Sequence, residues 1–516
     1  MSTSATSGKS ALQPTSLNAP SPSREVPLHM SPEEFRAAGH GLVDTIAQFL
    51  HELPSRSITS GESPEVLRAL IDANAHVPET GADANELLQS TARLLMDHSL
   101  FNGHPRFFGY ITSSPAQIGM LAELLAASVN ANVGAWRLSP IATEIEAQTV
   151  RWIAELVGYP PDGSGLMVSG GNMANMVGFL AARAAAAGQE VRTAGLNAPN
   201  APRLRAYASA ETHTWIQKAA DIAGIGTDSI RWIPVDGNQR MDMNALRTAV
   251  ARDVAAGDRP MAVVGTSGSV STGAVDPLFE MSAFCRDNGI WFHVDGAYGA
   301  FASMVPGAPP ELAGVGLADS LAVDPHKWLY SPIEAGCTLV RDPDALRNAF
   351  AYHPPYYHFG QEALNYTDLG PQNSRGFRAL KVWLALRQAG RSGYARMIGD
   401  DIALSQRLAD NVTKYPELEP LTQKLSITTF RYVPEDMREQ LARHGEYLNR
   451  LNETILDRLQ LAGEAFVSNA VIDGRYALRA CIVNFNTTAA DVDVLPEIIV
   501  RLGREMDRKM RGAYAT

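Results

Sequence analysis

His293-Val-Asp-Gly-Ala-Tyr298 and Asp324-Pro-His-Lys-Trp328 are the two stretches that decide the fold. Each closes a short apolar run, Trp291–Asp295 and Ser320–Val323, and a helix-length segment lies between them. Apolar runs of this kind, separated by helices, belong to a parallel sheet covered on both faces. The pattern repeats at Leu166–Ser169, Arg205–Ser209, Ile230–Val235, Met261–Thr266 and Cys337–Val340. An α/β fold with a mostly parallel, seven-stranded sheet is therefore expected. Ligands in such sheets bind beyond the carboxyl ends of strands, so the residues just after each run are where chemistry is sought.

Outward from the sheet, Ser31-Pro-Glu-Glu34 is a capping box with proline at the first helical position. Behind it Phe35, Leu42, Val43, Ile46, Phe49 and Leu50 recur at helical spacing. Ser139-Pro140 opens another helix, carrying Ile141, Ile145, Val150, Ile153 and Val157. A Pro- and Tyr-rich segment, Tyr352–Asn365, precedes a helix at Arg375–Gly390. Beyond residue 395, helices near 400–413, 435–462 and 491–512 alternate with strands near 425–432, 465–472 and 476–485. The expected division is a disordered tail over 1–28, an N-terminal helical segment over 29–110, a large domain over 111–392 and a small α+β domain over 393–516.

Hydrophobic content of 45% and charged content of 19% are those of an ordinary globular protein. A net charge of -11 argues against nucleic-acid and anionic-membrane partners, which want a basic face. No apolar run is long enough to span a bilayer, and the Ser/Pro-rich first residues lack the apolar core of a secretory signal. Cys285, Cys337 and Cys481 are far apart and show no metal-ligand spacing, so neither a disulfide framework nor a metal site is expected, and a cytoplasmic location fits. Gly8-Lys9-Ser10 resembles the end of a phosphate-binding loop, but Thr3 stands where its first glycine belongs.

The strand ends carry the chemistry. Ser169-Gly-Gly-Asn-Met-Ala-Asn175 leads from a strand into a helix, where free backbone N–H groups favour an anion such as phosphate. Glu211-Thr-His213 follows the second run, and Thr266-Ser-Gly-Ser-Val-Ser-Thr272 the fourth. Asp295 and Lys327, an acid and an amine on successive parallel strand ends beside a phosphate-type turn, suit pyridoxal 5'-phosphate (PLP). PLP needs an amine to form a Schiff base with its aldehyde, and a desolvated site beside its cationic ring makes lysine more reactive. It also needs a carboxylate to keep its pyridine nitrogen protonated, which Asp295 supplies, and a flat group over its ring, for which His213 is the candidate.

At these residues the chain resembles the group II PLP-dependent decarboxylases, which act on aromatic amino acids, tyrosine, tryptophan, histidine or glutamate. The likeness extends from about Met30 to Arg508 and includes His104-Pro-Arg-Phe-Phe-Gly-Tyr110, Ser139-Pro-Ile-Ala-Thr-Glu-Ile-Glu146 and Phe377-Arg-Ala-Leu-Lys-Val-Trp383. It implies a fold-type I PLP fold and a homodimer with active sites at the interface. It also implies that Lys327 carries the cofactor, Asp295 pairs with the pyridine nitrogen and His213 stacks on the ring. Gly170, Gly171 and Asn172 fall on the phosphate turn, and Thr266, Ala297 and His326 along the cofactor. Tyr356, in His353-Pro-Pro-Tyr-Tyr357, matches the loop tyrosine that reprotonates Cα, and a one-residue slip would give that place to Tyr357. Tyrosine there goes with amine formation in the family, phenylalanine with aldehyde formation.

The expected activity is decarboxylation of an L-amino acid to the amine and carbon dioxide, with an aromatic substrate first. Phe107, Phe108, Tyr110 and Ile111 supply aromatic and apolar surface, in a pocket or in the core. Ser374 aligns where plant relatives carry serine for phenolic and glycine for indolic substrates. Asn102, Asn132 and Gly134 stand where animal relatives have larger apolar groups; two bring amides and one opens space, which turns the reading away from catechols. Glutamate would want a dedicated arginine, with Arg106 and Arg137 as candidates. The alternatives are oxidative conversion to an aldehyde, transamination, an aldolase-type cleavage and a non-catalytic scaffold. The last predicts erosion of Lys327, Asp295 or His213, and all three are present.

Overall fold

The computed structural model describes residues 26–198, 200–353 and 363–514, which divide into two compact units. The smaller takes the described residues up to Glu52 together with Glu62–His98. It consists of α1 (Pro32–Glu52), α2 (Pro64–Leu70) and α3 (Ala84–His98). The capping box forms as expected: the Ser31 N–H donates to Glu34 Oε2 at 2.8 Å and the Glu34 N–H to Ser31 Oγ at 3.2 Å.

The larger unit takes Leu53–Gly61 and everything described from Ser99 onward. It opens with α4 (Gln117–Val129) and α5 (Pro140–Val157). The chain then alternates through β1 (Ser164–Val168), α6 (Gly171–Ala187), α7 (Val191–Ala194), β2 (Leu204–Ser209), α8 (Trp215–Ile222) and β3 (Ile230–Ile233). It continues through α9 (Met243–Ala255), β4 (Arg259–Thr266), α10 (Leu278–Asn288), β5 (Trp291–Asp295), β6 (Ser320–Val323) and β7 (Gly336–Val340). These form the seven-stranded sheet in the order β1-β7-β6-β5-β4-β2-β3. Neighbours from β3 to β6 pair in parallel, whereas β7 is antiparallel to both β6 and β1. Strand β1 therefore runs in the same direction as β6, and its exit lies at the same edge of the sheet.

Register places the motifs. Thr266 pairs with Asp295, Asp295 with Ala322, and Val168 with Gly336. Every residue of β6 and β7 is buried, which is why their sequences show no polar alternation.

After α11 (Pro343–Phe350), the long helix α12 (Ala379–Val412) is broken at Gly390, whose φ of 65° is non-helical. A four-stranded antiparallel sheet follows in the order β10-β11-β9-β8, built from β8 (Leu418–Lys424), β9 (Ile427–Tyr432), β10 (Ser468–Ile472) and β11 (Arg475–Cys481). Helices α13 (Gly445–Ala462) and α14 (Ala489–Tyr514) pack with it around a separate apolar core that includes Leu408, Phe430, Leu459 and Leu495.

One expectation is corrected here. The helix expected over 435–462 is a 3-10 turn at Glu435–Gln440 followed by α13. The helix expected to end at Gly390 does end there: that residue's non-helical φ of 65° breaks it, and a second helical stretch runs on to Val412. Strand β8 had no signal in the sequence, because it is a half-exposed edge strand that contains Pro420 and lacks apolar alternation.

Gly336 has a steric reason to be glycine: a Cβ there would lie 2.5–2.7 Å from the backbone atoms of Gly170. Two backbones in contact cannot give way as a side-chain tip does. Gly336→Ala should cost about 1–3 kcal/mol and lower the melting temperature, while Gly376→Ala, which meets nothing within 4 Å, should not. Thermal unfolding of both variants, followed by circular dichroism, checks this.

Candidate active site

At the exit of β1, Gly170 takes a φ of 114°, a conformation open to glycine and little else. The turn ends in the N-terminus of α6, whose free N–H groups and dipole favour an anion. A Cβ on Gly171 would stand 2.5 Å from Asp324 Oδ2 and 3.2 Å from Ala297, and one on Gly170 3.3 Å from His326. The two glycines thus keep a cradle open against the ends of β5 and β6.

Lys327 Nζ lies 3.1 Å from the same Asp324 Oδ2. The lysine side chain is 18% exposed and the aspartate 3%. The other carboxylate oxygen, Asp324 Oδ1, is buried without a partner among the described residues, as is Thr266 Oγ1. On the neighbouring strand end, Asp295 Oδ2 accepts the indole N–H of Trp215 at 2.8 Å and Oδ1 accepts the Ala297 N–H at 3.2 Å. His213 is exposed and titrates below the usual histidine range. Desolvation is the main cause; Lys327 and Lys218 push the same way, against Asp295 and Asp324. His213, Asp295, Asp324 and Lys327 therefore share one local field. His326 Nδ1 sits 2.7 Å from the Ala335 carbonyl, and Nε2 lies 3.7 Å from Asp324 Oδ2.

Behind this front lies a buried polar chain. The Trp291 indole N–H donates to Ser320 Oγ, which is 2.8 Å from His293 Nδ1. His293 Nε2 is 2.8 Å from Asn175 Oδ1, and Asn175 Nδ2 donates to the Gly171 carbonyl at 2.8 Å. Since Nδ2 is committed to a carbonyl, Oδ1 faces His293, and Nε2 carries the imidazole proton. Burial pushes the His293 titration down to about 4, so the ring is neutral at physiological pH. The turn after Lys327 is braced from the other side. Trp328 Nε1 and the Tyr330 hydroxyl both donate to Asp401 Oδ2, at 3.1 and 2.7 Å, and Tyr298 stacks on Trp328 with ring centres 4.6 Å apart. Burial raises the Asp401 carboxyl to about 7.

The other expected site residues are placed as follows. Asn172 is exposed in the first turn of α6. Phe107 is buried and stacked on Phe466 with ring centres 5.1 Å apart, while Tyr110 is exposed with a φ of 50°. Ser374 is exposed beside the buried Arg375. Tyr356 and Tyr357 lie outside the described residues. Gly134 does not open space: a Cβ there would run into the Asn373 carbonyl. Asn132 is likewise engaged, its Oδ1 accepting the Arg375 N–H at 3.1 Å.

Trp215, Asp401 and Arg479 carry weight here without a motif role to announce them, and Asp324, though it opens the Asp324–Trp328 motif, has no role of its own in the sequence reading. Arg479 had one signal, a charge inside the apolar run Tyr476–Cys481. It is buried, with Nη1 donating to the Tyr110 carbonyl at 3.0 Å and to Ser468 Oγ at 2.9 Å. Its Nε and Nη2 find no partner among the described residues.

A glycine cradle at a helix start, a lysine beside it, a carboxylate on the next strand and an imidazole in their field are a donor set that fits PLP. The phosphate would take the cradle, Lys327 the aldehyde and Asp295 the ring nitrogen. Fold and site together define a PLP-dependent enzyme of fold-type I. The comparisons make the class specific. The pyridoxal-dependent decarboxylase conserved domain matches residues 64–433. An aromatic-L-amino-acid decarboxylase of Bacillus atrophaeus is 30% identical over 470 residues, covering 90% of this chain and 94% of that protein. A phenylacetaldehyde synthase of Arabidopsis thaliana is 30% identical over 466 residues, covering 88% and 92%. The crystal structure of Oryza sativa TDC with PLP and tryptamine superposes with a TM-score of 0.86 at 26% identity, covering 94% of this chain and all of that one. The chain belongs to the pyridoxal-dependent decarboxylase family, and PLP is its cofactor.

His293 yields a test of the buried chain. Its value falls from 6.5 to about 4 on folding, so the stability it contributes is complete above about 6.5 and is lost as pH drops toward 4. The stability advantage of the parent over His293→Gln should therefore shrink across that window. Urea unfolding of the cofactor-free proteins at several pH values measures it.

Proposed function

We propose that this decarboxylase acts on an aromatic L-amino acid and releases the amine and carbon dioxide, with Lys327 as the residue that tethers PLP. The observation that carries the proposal is the placement of Lys327 and Asp295 on adjacent strand ends beside the Gly170–Gly171 cradle. Bound PLP supplies the electron sink for the pair left behind when the carboxylate departs. The protein's own groups do the rest. Asp324 holds the Lys327 ammonium at 3.1 Å and is the nearest base for its proton when the amine must become nucleophilic. Asp295 holds the proton on the ring nitrogen, and His213 covers a ring face. His326, Thr266 and Ala297 line the cofactor, and Asn172 joins the glycines at the phosphate.

Aromatic substrates are supported by the names of the relatives, which include an aromatic-L-amino-acid decarboxylase and a phenylacetaldehyde synthase. Ser374 in this sequence leans toward a phenolic ring, and Phe107 and Tyr110 bring aromatic surface. The second reading, aldehyde formation, is favoured by the synthase relative. Tyr356 favours the amine, since a phenol near Cα can return a proton there.

A homodimer completes the proposal, with residues 29–110 at its interface. Exposed Leu121, Leu124, Leu125 and Val129 on α4 support an apolar face that wants a partner. A cytoplasmic setting is supported by Cys285, Cys337 and Cys481, which are free and buried.

Lys327→Ala should lose the visible absorbance of bound PLP near about 420 nm and all turnover. A coloured, active variant removes the assignment. Tyr356→Phe should cut amine yield by about 100-fold or more and divert product to the aldehyde, read by chromatography alongside carbon dioxide. The same effect in Tyr357→Phe alone moves the role by one residue.

A further inference from the structure

Trp215 is 1% exposed and touches two of the groups assigned to the cofactor ring. Its indole N–H donates to Asp295 Oδ2 at 2.8 Å, and its backbone N–H donates to His213 Nδ1 at 3.3 Å. Its ring is wedged edge-on against Phe179 and His293, at centroid distances of 5.9 and 5.4 Å. His293 is in turn fixed to Asn175 and so to the Gly171 carbonyl. The indole therefore ties the carboxylate at the end of β5 to the helix that begins at the phosphate cradle.

From this geometry we infer that Trp215 is a positioning residue whose indole aims Asp295 at the cofactor ring, an inference that rests on the role proposed above for Asp295. A carboxylate has about four lone-pair sites. The Trp215 indole and the Ala297 N–H take one on each oxygen of Asp295, which stops the group rotating and directs the remaining lone pairs toward the site. The backbone contact fixes His213 as the tautomer with its proton on Nε2. Because the hydrogen bond to the carboxylate is charge-assisted and buried, its loss should be felt in cofactor affinity.

Trp215→Phe keeps a ring between Phe179 and His293, keeps the backbone contact to His213 and deletes the indole N–H. Trp215→benzothienylalanine keeps the whole bicycle with sulfur in place of the N–H. Cofactor-free protein of each kind is titrated with PLP by fluorescence, its induced circular dichroism is recorded once loaded, and its melting temperature is measured without cofactor. Both variants should bind PLP about ten- to hundredfold more weakly and change the induced dichroism, because the ring loses its fixed orientation. Affinity within twofold of the parent in the benzothienylalanine variant overturns the inference, whatever the phenylalanine variant does. So does a drop in melting temperature in both variants with affinity and dichroism unchanged, which is the outcome of packing alone. Asp295→Asn separates the two levels. If it binds PLP as the parent does, the role of Asp295 fails; if it loses PLP while both Trp215 variants keep it, only the role of Trp215 fails.

Discussion

The register of β4, β5 and β6 is the constraint on which the site depends. Parallel pairing of Thr266 with Asp295 and of Asp295 with Ala322 sets three strand exits side by side. Strand β1 exits at the same edge because two antiparallel steps through β7 restore its direction. A shift of one residue in the pairing of β5 with its neighbours would turn Asp295 to the other face of the sheet. The full burial of β6 and β7 makes such a shift expensive.

Charge inside this edge is managed by pairing. Lys327 and Asp324 hold each other near the glycine cradle, Asp295 is met by two N–H donors, and His293 stays neutral within a closed chain of hydrogen bonds. Asp401 is handled differently. It receives Trp328, Tyr330 and the Asn484 N–H, all donors, yet burial without a cation raises it to about 7. That carboxylate links the turn after Lys327 to helix α12 and to the exit of the second sheet. Fully satisfied buried networks of this kind hold one geometry rather than an ensemble.

Cofactor groups and substrate candidates stand on different kinds of backbone. The cofactor groups lie on strand ends and helix starts, whose positions follow from the sheet. Two of the substrate candidates lie on connecting segments: Tyr110 at a positive φ and Ser374 exposed before α12. Gly134 illustrates how such positions mislead. Read as added room for a side chain, it is instead the place where the Asn373 carbonyl comes close.

The sequence by itself determined the class of sheet, the capping box at Ser31, and the meeting of Lys327, Asp295, His213 and the glycine turn. These follow from local patterns, since buried strands, helix starts and strand-end motifs are each written in a few consecutive residues. It could not announce β8, whose half-exposed edge lacks alternation. Trp215, Asp401 and Arg479 were decided by the tertiary structure alone. Their roles come from partners distant in the chain: Trp215 reaches Asp295, Asp401 reaches Trp328, and Arg479 reaches Tyr110. An indole N–H in an apolar helix reads as core until the fold brings a carboxylate to it.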